Sequence, residues 1–362
     1  MTSQSTTDNS FLQQALTLAE GGRGRVSPNP LVGAVVVRGG EVIGEGFHAE
    51  LGGLHAERAA LEDCRRRGED PAGATMYVTL EPCAHHGRQP PCVEAILETG
   101  IGRVVIASED PSEKAAGRGP GILRDGGVEV ELAAGAEATA ARRLNQPFRK
   151  HSRTGLPLVV LKMAMSLDGR TETAPGDSPW ISGEQSRELV HKWRAESDAI
   201  AVGIGTVLAD DPLLTARIDG ARQPKRVLFD RQARLPLDSQ LLKTLDRSPV
   251  LVVVAPNAPS DRVIALQSAG AETIVASDIE SALRDLGRRE VTSLFLEGGR
   301  TLASAFASAD QFDECRTFIA PVLLGGSTSA SPVAGPARLT ALESSTEQVG
   351  DDTLITARFK EW

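Results

Sequence analysis

His55-Ala56-Glu57, then Glu81-Pro82-Cys83, then Pro91-Cys92, carry the residue types that hold a zinc ion and activate a water on it. One imidazole and two thiolates fill three tetrahedral positions and leave the fourth open. Two thiolates make the ion formally neutral, so a nearby base is needed to complete ionisation of the water. Glu57, two residues beyond the histidine, can take that proton without ligating the metal and then pass it to a departing amine. The chemistry expected of this set is hydrolytic removal of an amine.

The two cysteines enclose eight residues, more than zinc pairs ordinarily have. The stretch Ala84-His85-His86-Gly87-Arg88-Gln89-Pro90-Pro91 must therefore loop out and return, and its glycine and paired prolines suit such a turn. Cys92 would then open the next helix, where free backbone N–H groups and the helix dipole favour a thiolate. Free cysteines are often small buried hydrophobes. Here, however, H-x-E, P-C and a second cysteine follow one another in the layout of zinc deaminases. His85 and His86, on the loop, are either spare ligands or contacts to solvent or a substrate phosphate. A purely structural zinc would call for four protein ligands and would leave Glu57 without a purpose.

The elements that must position these residues follow from periodicity. Residues 11–19 read as a helix with Asp8 or Ser10 as candidate caps. Residues 31–37 and 41–46 read as strands joined by a hairpin turn at Arg38-Gly39-Gly40. A helix over 56–67 has His55 at its start and Gly68 as its stop. A strand over 75–80 delivers Glu81-Pro82-Cys83 at its end, and 93–98 reads as helix. Strands over 103–107 and 128–132 and one helix over 138–149 complete this half. Ligands at strand ends and helix starts are how α/β sheets build sites. The polar stretch His151-Ser152-Arg153-Thr154-Gly155 is the natural boundary, giving a domain over 1–150 and another over 156–362.

The second half restarts with a strand over 158–164, followed by β-rich runs at 199–202, 226–230, 250–255, 273–276 and 293–297. Gly203-Ile204-Gly205-Thr206 lacks the third glycine of a dinucleotide fingerprint and reads equally as a tight strand-to-helix turn. Glu297-Gly298-Gly299-Arg300-Thr301 follows a strand and opens a helix over 302–307. Paired glycines there either let a phosphate approach the helix N–H groups or simply form a packing turn.

Composition narrows the classes. A length of 362 residues with 41% hydrophobic content is enough for two cores. The net charge of −9 argues against a nucleic-acid partner, and 4% aromatic content leaves few platforms for stacked bases. Cys64 and Cys315, beyond the metal pair, read as buried thiols, so four cysteines fit a reducing cytosol rather than a disulfide framework. The polar residues 1–10 lack the apolar core of a signal peptide, and no apolar run approaches a membrane span.

Ser27-Pro28-Asn29-Pro30-Leu31-Val32-Gly33, Gly46-Phe47-His48, His55-Ala56-Glu57 and the long loop from Glu81 to Cys92 resemble the bifunctional riboflavin-biosynthesis deaminase/reductase family. The proline-bearing loop is the discriminating detail, since nucleoside and tRNA deaminases have the short spacing. Asp110-Pro111 and Gly117-Arg118-Gly119 continue the match, although Ser112-Glu113 stand where the family usually reads Asn-Pro. In the second half, Lys162, Ser166-Leu167-Asp168-Gly169-Arg170, Ser178-Pro179-Trp180-Ile181, the run from Thr206 to Pro212 and Glu297-Gly298-Gly299 resemble the family's reductase domain. The rival, a nucleobase or tRNA deaminase fused to an unrelated reductase, shares only the zinc motif.

The resemblance implies an α/β chain, with an N-terminal cytidine-deaminase-like three-layer α/β/α domain and a C-terminal dihydrofolate-reductase-like α/β domain. It implies Zn2+ on His55, Cys83 and Cys92, with Glu57 catalytic, and NADPH as the second cofactor. Met165, Trp180, Thr206, Asp210, Gly299, Arg300 and Thr301 would face NADPH. Arg231, which stands where the family often has serine, could contact its 2′-phosphate. Lys162, Ser178, Arg194, Leu214, Arg217 and Glu297 would face the substrate of the reductase, and Asn29 that of the deaminase. Guanidinium groups suit a ribose 5-phosphate. The implied activity is zinc-hydroxide deamination of 2,5-diamino-6-ribosylamino-4(3H)-pyrimidinone 5′-phosphate, then NADPH reduction of the ribosyl group to ribityl. The expected setting is a cytoplasmic homo-oligomer acting on a phosphorylated pyrimidine, with no nucleic-acid or membrane partner.

Overall fold

The computed structural model describes residues 3–86, 89–112, 116–173, 180–325, 333 and 338–362. The chain divides into two compact units, Met1–Thr154 with Trp362, and Gly155–Glu361.

In the first unit the order is α1 (Ser3–Ala19), β1 (Gly33–Arg38), β2 (Glu41–Phe47), α2 (Ala56–Arg67), β3 (Thr75–Val78), α3 (Cys92–Glu98), β4 (Arg103–Ile106), α4 (Arg118–Asp125), β5 (Glu129–Leu132), α5 (Ala136–Leu144) and α6 (Gln146–Thr154). The sheet runs β2-β1-β3-β4-β5. β1 is antiparallel to β2 and β3, whereas β3, β4 and β5 are parallel. Gly39 and Gly40 both take positive φ in the turn that pairs Arg38 with Glu41, as a tight hairpin needs.

Strand alternation sorts the side chains into two cores. Ala34, Val36, Met76, Val78, Val104 and Ile106 face one side, with Ala60, Leu61 and Cys64 of α2, Ile96 of α3 and Leu123 of α4. Val35, Val37, Tyr77 and Val105 face the other, with Leu12, Ala15 and Leu16 of α1 and Ala141 of α5. The result is a helix–sheet–helix sandwich of three layers. A Cβ at Gly46 would stand 2.4 Å from Ala60 N, so α2 lies directly on β2.

Three local expectations change. Asp8 is inside α1 rather than capping it, and its carboxylate accepts from the Tyr77 hydroxyl and both terminal nitrogens of Arg103. The expected single helix over 138–149 is two, broken at Asn145, whose side-chain amide clasps the main chain of Leu31 (2.8 Å to its N, 2.9 Å to its O). The polar boundary segment is helical through Thr154, and the turn comes at Gly155, with φ of 71°. Trp362 groups with the first unit through Gln146 and Arg149, both of which donate to its main-chain oxygen.

The second unit runs β6 (Leu158–Ser166), α7 (Glu184–Glu196), β7 (Ala199–Gly203), α8 (Ile204–Asp210), β8 (Lys225–Phe229), α9 (Gln240–Lys243), β9 (Val250–Val254), α10 (Ser260–Ser268), β10 (Glu272–Val275), α11 (Ile279–Arg288), β11 (Ser293–Leu296), α12 (Arg300–Ser308), β12 (Glu314–Ala320), β13 (Glu343–Val349) and β14 (Asp352–Arg358). Its sheet has the order β10-β9-β8-β7-β11-β6-β12-β14-β13. The strands from β10 through β12 are parallel, and β14 and β13 return antiparallel. Near-continuous apolar strands such as β9, buried at every position, fit a sheet covered on both faces. β11 enters between β6 and β7, so the direction of winding reverses there, and ligands of open α/β sheets bind beyond the carboxyl ends at such a point. Among the described residues no helix is long and apolar enough to cross a membrane.

Candidate active sites

His55 is the N-cap of α2, in extended conformation, so its ring stands clear of the helix while Glu57 falls in the first turn. Cys83 follows β3, and Cys92 is the first residue of α3. His55 Nδ1 is 3.5 Å from Cys83 Sγ and 3.4 Å from Cys92 Sγ. A tetrahedral zinc with Zn–N of about 2.0 Å and Zn–S of about 2.3 Å sets its nitrogen and sulfur ligands about 3.5 Å apart. The donor set therefore fits zinc in chemistry and in spacing. These three residues are the one such cluster among the described residues, and the exposed His85 and His86 are not part of it.

The long loop returns because its far end is pinned. Arg58 of α2 donates to the carbonyls of Pro90 (3.3 Å) and Pro91 (2.9 Å). The Cys92 amide then donates to Cys83 Sγ (3.3 Å) and the Val93 amide to the Cys83 carbonyl (3.3 Å), so the first turn of α3 grips the other cysteine. Hydrogen bonding from Cys92 and His55 pushes the Cys83 thiol down to about 4, while the same contact pushes the Cys92 thiol up. Burial pushes the Glu57 carboxyl, only 4% exposed, up to about 7, a value suited to moving a proton both ways near neutrality. A bound cation would draw it back down.

Asn29 is fixed by a residue for which periodicity gave no role. His48 Nδ1 lies 2.9 Å from the Leu54 carbonyl, which makes it the N–H donor, and Nε2 lies 3.1 Å from Asn29 Nδ2 and accepts from it. The Asn29 amide nitrogen is thereby engaged. The His48 ring meets the His55 ring edge-on, with centroids 5.3 Å apart.

In the second unit β7 and β11 are parallel neighbours, pairing Ala201 with Leu296, and both end at the same edge. Glu297-Gly298-Gly299 follows β11, and Gly299 is the N-cap of α12, which has no side-chain cap. The Thr206 hydroxyl stands 3.9 Å from where a Gly299 Cβ would be. An uncapped helix start beside a hydroxyl fits the phosphates of a nucleotide. Gly299, Arg300 and Thr301 are exposed at this edge; Asp210, the last residue of α8, and Trp180 are also exposed, with the Arg187 guanidinium 5.2 Å above the Trp180 ring. Arg231 is exposed and donates to the Ser277 carbonyl at 3.1 Å. Met165 is half-buried near the end of β6, and Ser178 lies outside the described residues.

Arg194 of α7 makes a two-pronged pair with Glu297 and also donates to the Thr215 carbonyl at 3.1 Å. Its guanidinium thus holds both the end of β11 and the 214–217 segment, in which Leu214 takes a φ of 53° and Arg217 is exposed. Burial pushes the Lys162 ammonium down, against the opposing pull of Glu297. His191 lies one turn before Arg194, with a buried Nδ1. Burial and the charges of Arg194 and Arg217 push its pKa down. Its position in an amphipathic helix gave no sequence signal for this.

Comparison with known proteins covers both units. Residues 5–108 match the cytidine and deoxycytidylate deaminase zinc-binding region, and residues 157–355 match the RibD C-terminal domain. A riboflavin biosynthesis protein RibD of Actinobacillus pleuropneumoniae is 39% identical over 361 residues, covering 96% of this chain and 94% of its own. Its Escherichia coli counterpart is 40% identical over 336 residues, covering 88% and 89%. The chain is also similar to a solved Thermotoga maritima diaminohydroxyphosphoribosylaminopyrimidine deaminase/5-amino-6-(5-phosphoribosylamino)uracil reductase, with a TM-score of 0.85, 36% identity and coverage of 99% and 100%. A solved Acinetobacter baumannii RibD gives a TM-score of 0.84 at 37% identity with the same coverage.

Proposed function

The chain belongs to the RibD family of riboflavin-biosynthesis proteins, bifunctional deaminase/reductases that use zinc and NADPH, and from that premise we propose the division of labour among its residues. The first unit deaminates 2,5-diamino-6-ribosylamino-4(3H)-pyrimidinone 5′-phosphate, and the second reduces the ribosyl group of the product to ribityl. The observation that carries the first step is His55, Cys83 and Cys92 at ligating distance with Glu57 buried beside them.

Zinc held by His55, Cys83 and Cys92 would supply a Lewis acid that acidifies a water. Glu57 would take one proton from the attacking water and deliver it to the pyrimidine ring nitrogen, then take the proton left on the oxygen added to the ring carbon and pass it to the leaving amine. Water is consumed and ammonia released, with the carboxyl returned to its starting state. Asn29, held by His48, fixes the ring through its carbonyl oxygen.

NADPH held at Gly299, Arg300, Thr301 and Thr206, with Trp180, Met165, Asp210 and Arg231 around it, supplies the hydride. Lys162, Asp210 and Glu297 are the polar groups proposed to move a proton at the ribosyl end. Arg217 takes the 5′-phosphate, and Leu214 lies against the substrate. Arg194 acts by fixing Glu297 and the 214–217 segment. Ser178 belongs to the same substrate set by its place in the motif. A cytoplasmic homo-oligomer without a nucleic-acid partner completes the reading. A coupled assay with the pyrimidine phosphate, following ammonia and NADPH separately, tests it; release of ammonia from cytidine in preference to the pyrimidine phosphate would overturn it.

A further inference from the structure

Glu81 is two residues before Cys83, and its carboxylate is taken up by main-chain donors instead of joining the metal cluster. Its carboxylate is 4% exposed in residue terms and collects main-chain donors from a single segment that follows the neighbouring strand. Oε2 accepts from the amides of Gly117 (3.1 Å) and Asp110 (3.4 Å), and Oε1 accepts from that of Gly119 (3.3 Å). Its own amide donates to the Ser108 carbonyl at 2.9 Å. The carboxylate thus reaches the start of α4, where the N-cap is Gly117, which has no side chain to cap the helix. A Cβ at Gly119 would stand 2.2 Å from the Pro82 carbonyl oxygen, so the first turn of α4 rests directly on the peptide that precedes Cys83.

Cys83 does not need this support, because the first turn of α3 already grips its sulfur and its carbonyl. What Glu81 adds is the placement of Asp110–Ser112 and Ala116–Gly119. β3 and β4 are parallel neighbours in register, Val78 opposite Ile106, so both exit at the edge where the metal cluster lies. The chain that follows β4 therefore runs beside the peptide that leads to Cys83, at the strand ends beyond which ligands of α/β sheets bind.

We propose that Glu81 is a positioning residue that sets Asp110–Ser112 and Ala116–Gly119 as one wall of the pyrimidine cleft, and so acts on substrate binding rather than on the metal or the proton transfer. The inference rests on the deaminase reading of this unit. Glu81→Gln replaces one accepting oxygen by an NH2 group that faces an N–H, at nearly unchanged volume. In the full-length, zinc-loaded protein the KM for the pyrimidine phosphate is expected to rise roughly ten- to a hundredfold. The deaminase kcat, zinc content and NADPH oxidation with deaminated substrate should match the wild type.

An unchanged KM overturns the proposal. Loss of zinc overturns it in favour of a metal scaffold, and a fall in kcat at constant KM overturns it in favour of a role in the chemistry. If Glu81→Gln does not fold, Gly119→Ala is read instead, since its Cβ pushes the same wall off Pro82 while the carboxylate itself is kept, and it should give the same rise in KM. Wild-type protein that releases no ammonia would sink the deaminase reading itself. An active wild type with an indistinguishable Glu81→Gln variant would sink only the role of Glu81.

Discussion

Arg194 and Glu297 stand 103 residues apart in sequence and meet in a two-pronged ion pair, Nε to Oε1 at 2.6 Å and Nη2 to Oε2 at 2.9 Å. Both side chains are largely buried, 15% and 12% exposed, so the pair is a junction of α7 with the end of β11 rather than a surface contact. Removing one partner of a buried pair leaves an uncompensated charge, at a cost of about 3–5 kcal/mol. Arg194→Ala should therefore lower the denaturant midpoint and abolish NADPH oxidation. Arg194→Lys keeps the charge without the fork and should fall between.

The same pair fixes an acid limb. Burial works to raise the Glu297 pKa, but Arg194 and Lys162 overcome it and hold the carboxyl below its ordinary value. Stability from a lowered carboxyl is complete above its unfolded pKa of about 4.3 and is lost as pH falls through the folded value. In Arg194→Ala burial meets less opposition and the carboxyl pKa rises, so the variant should be less stable than the wild type near neutrality and should lose less stability on acidification. Denaturant midpoints measured against pH check this, and a constant difference between the two proteins across the acid range would refute it.

Glu57→Gln should keep zinc and lose deamination. The amide preserves size and burial but cannot carry a proton, and general acid/base groups contribute on the order of 10²–10⁴-fold. Metal analysis beside an ammonia assay decides the matter: a zinc-replete variant with full activity would end the proposed mechanism.

Cys83→Ser or Cys92→Ser should release the metal, as should a chelator on the wild type, while NADPH oxidation with pre-deaminated substrate persists. The three proposed zinc ligands lie in the first unit, and Lys162, Thr206 and Glu297 lie in the second. If both activities vanish in a variant whose far-ultraviolet dichroism is native, the division into two independent sites is wrong.

The cluster of His55, Cys83 and Cys92 was legible because its signal is local: a histidine at a helix start, a glutamate in the first turn, a cysteine after a strand. The glycine turn from β11 into α12 was legible for the same reason. What the sequence hid depends on distant partners. The break at Asn145 interrupts a good helical pattern only because Leu31, 114 residues away, offers its main chain to the amide. Asp8 has the composition of a cap but is drawn into α1 by Arg103 and Tyr77. β13 has six exposed residues out of seven and therefore no alternation to read; only its pairing with β14 makes it a strand. His48 and Glu81 sit inside recognisable motifs, but their tasks lie in which main-chain groups they meet.

The last prediction concerns a fragment spanning 155–361. The sequence places the join near 151–157, and the helix that continues to Thr154 moves the natural cut to Gly155, where the positive φ ends it. The strands from β6 to β14 form one sheet with its own core of Val159, Leu161, Val227, Leu294 and Phe306, so the fragment retains its cooperative unit. It should fold, bind NADPH and reduce the deaminated intermediate in the presence of a chelator, because no zinc ligand remains in it. Fluorescence titration with NADPH is the direct readout. The full chain stripped of zinc gives the same readout should the fragment be insoluble. A soluble fragment and a zinc-free full chain that both fail to bind NADPH would refute the cofactor assignment to Gly299, Arg300, Thr301 and Thr206.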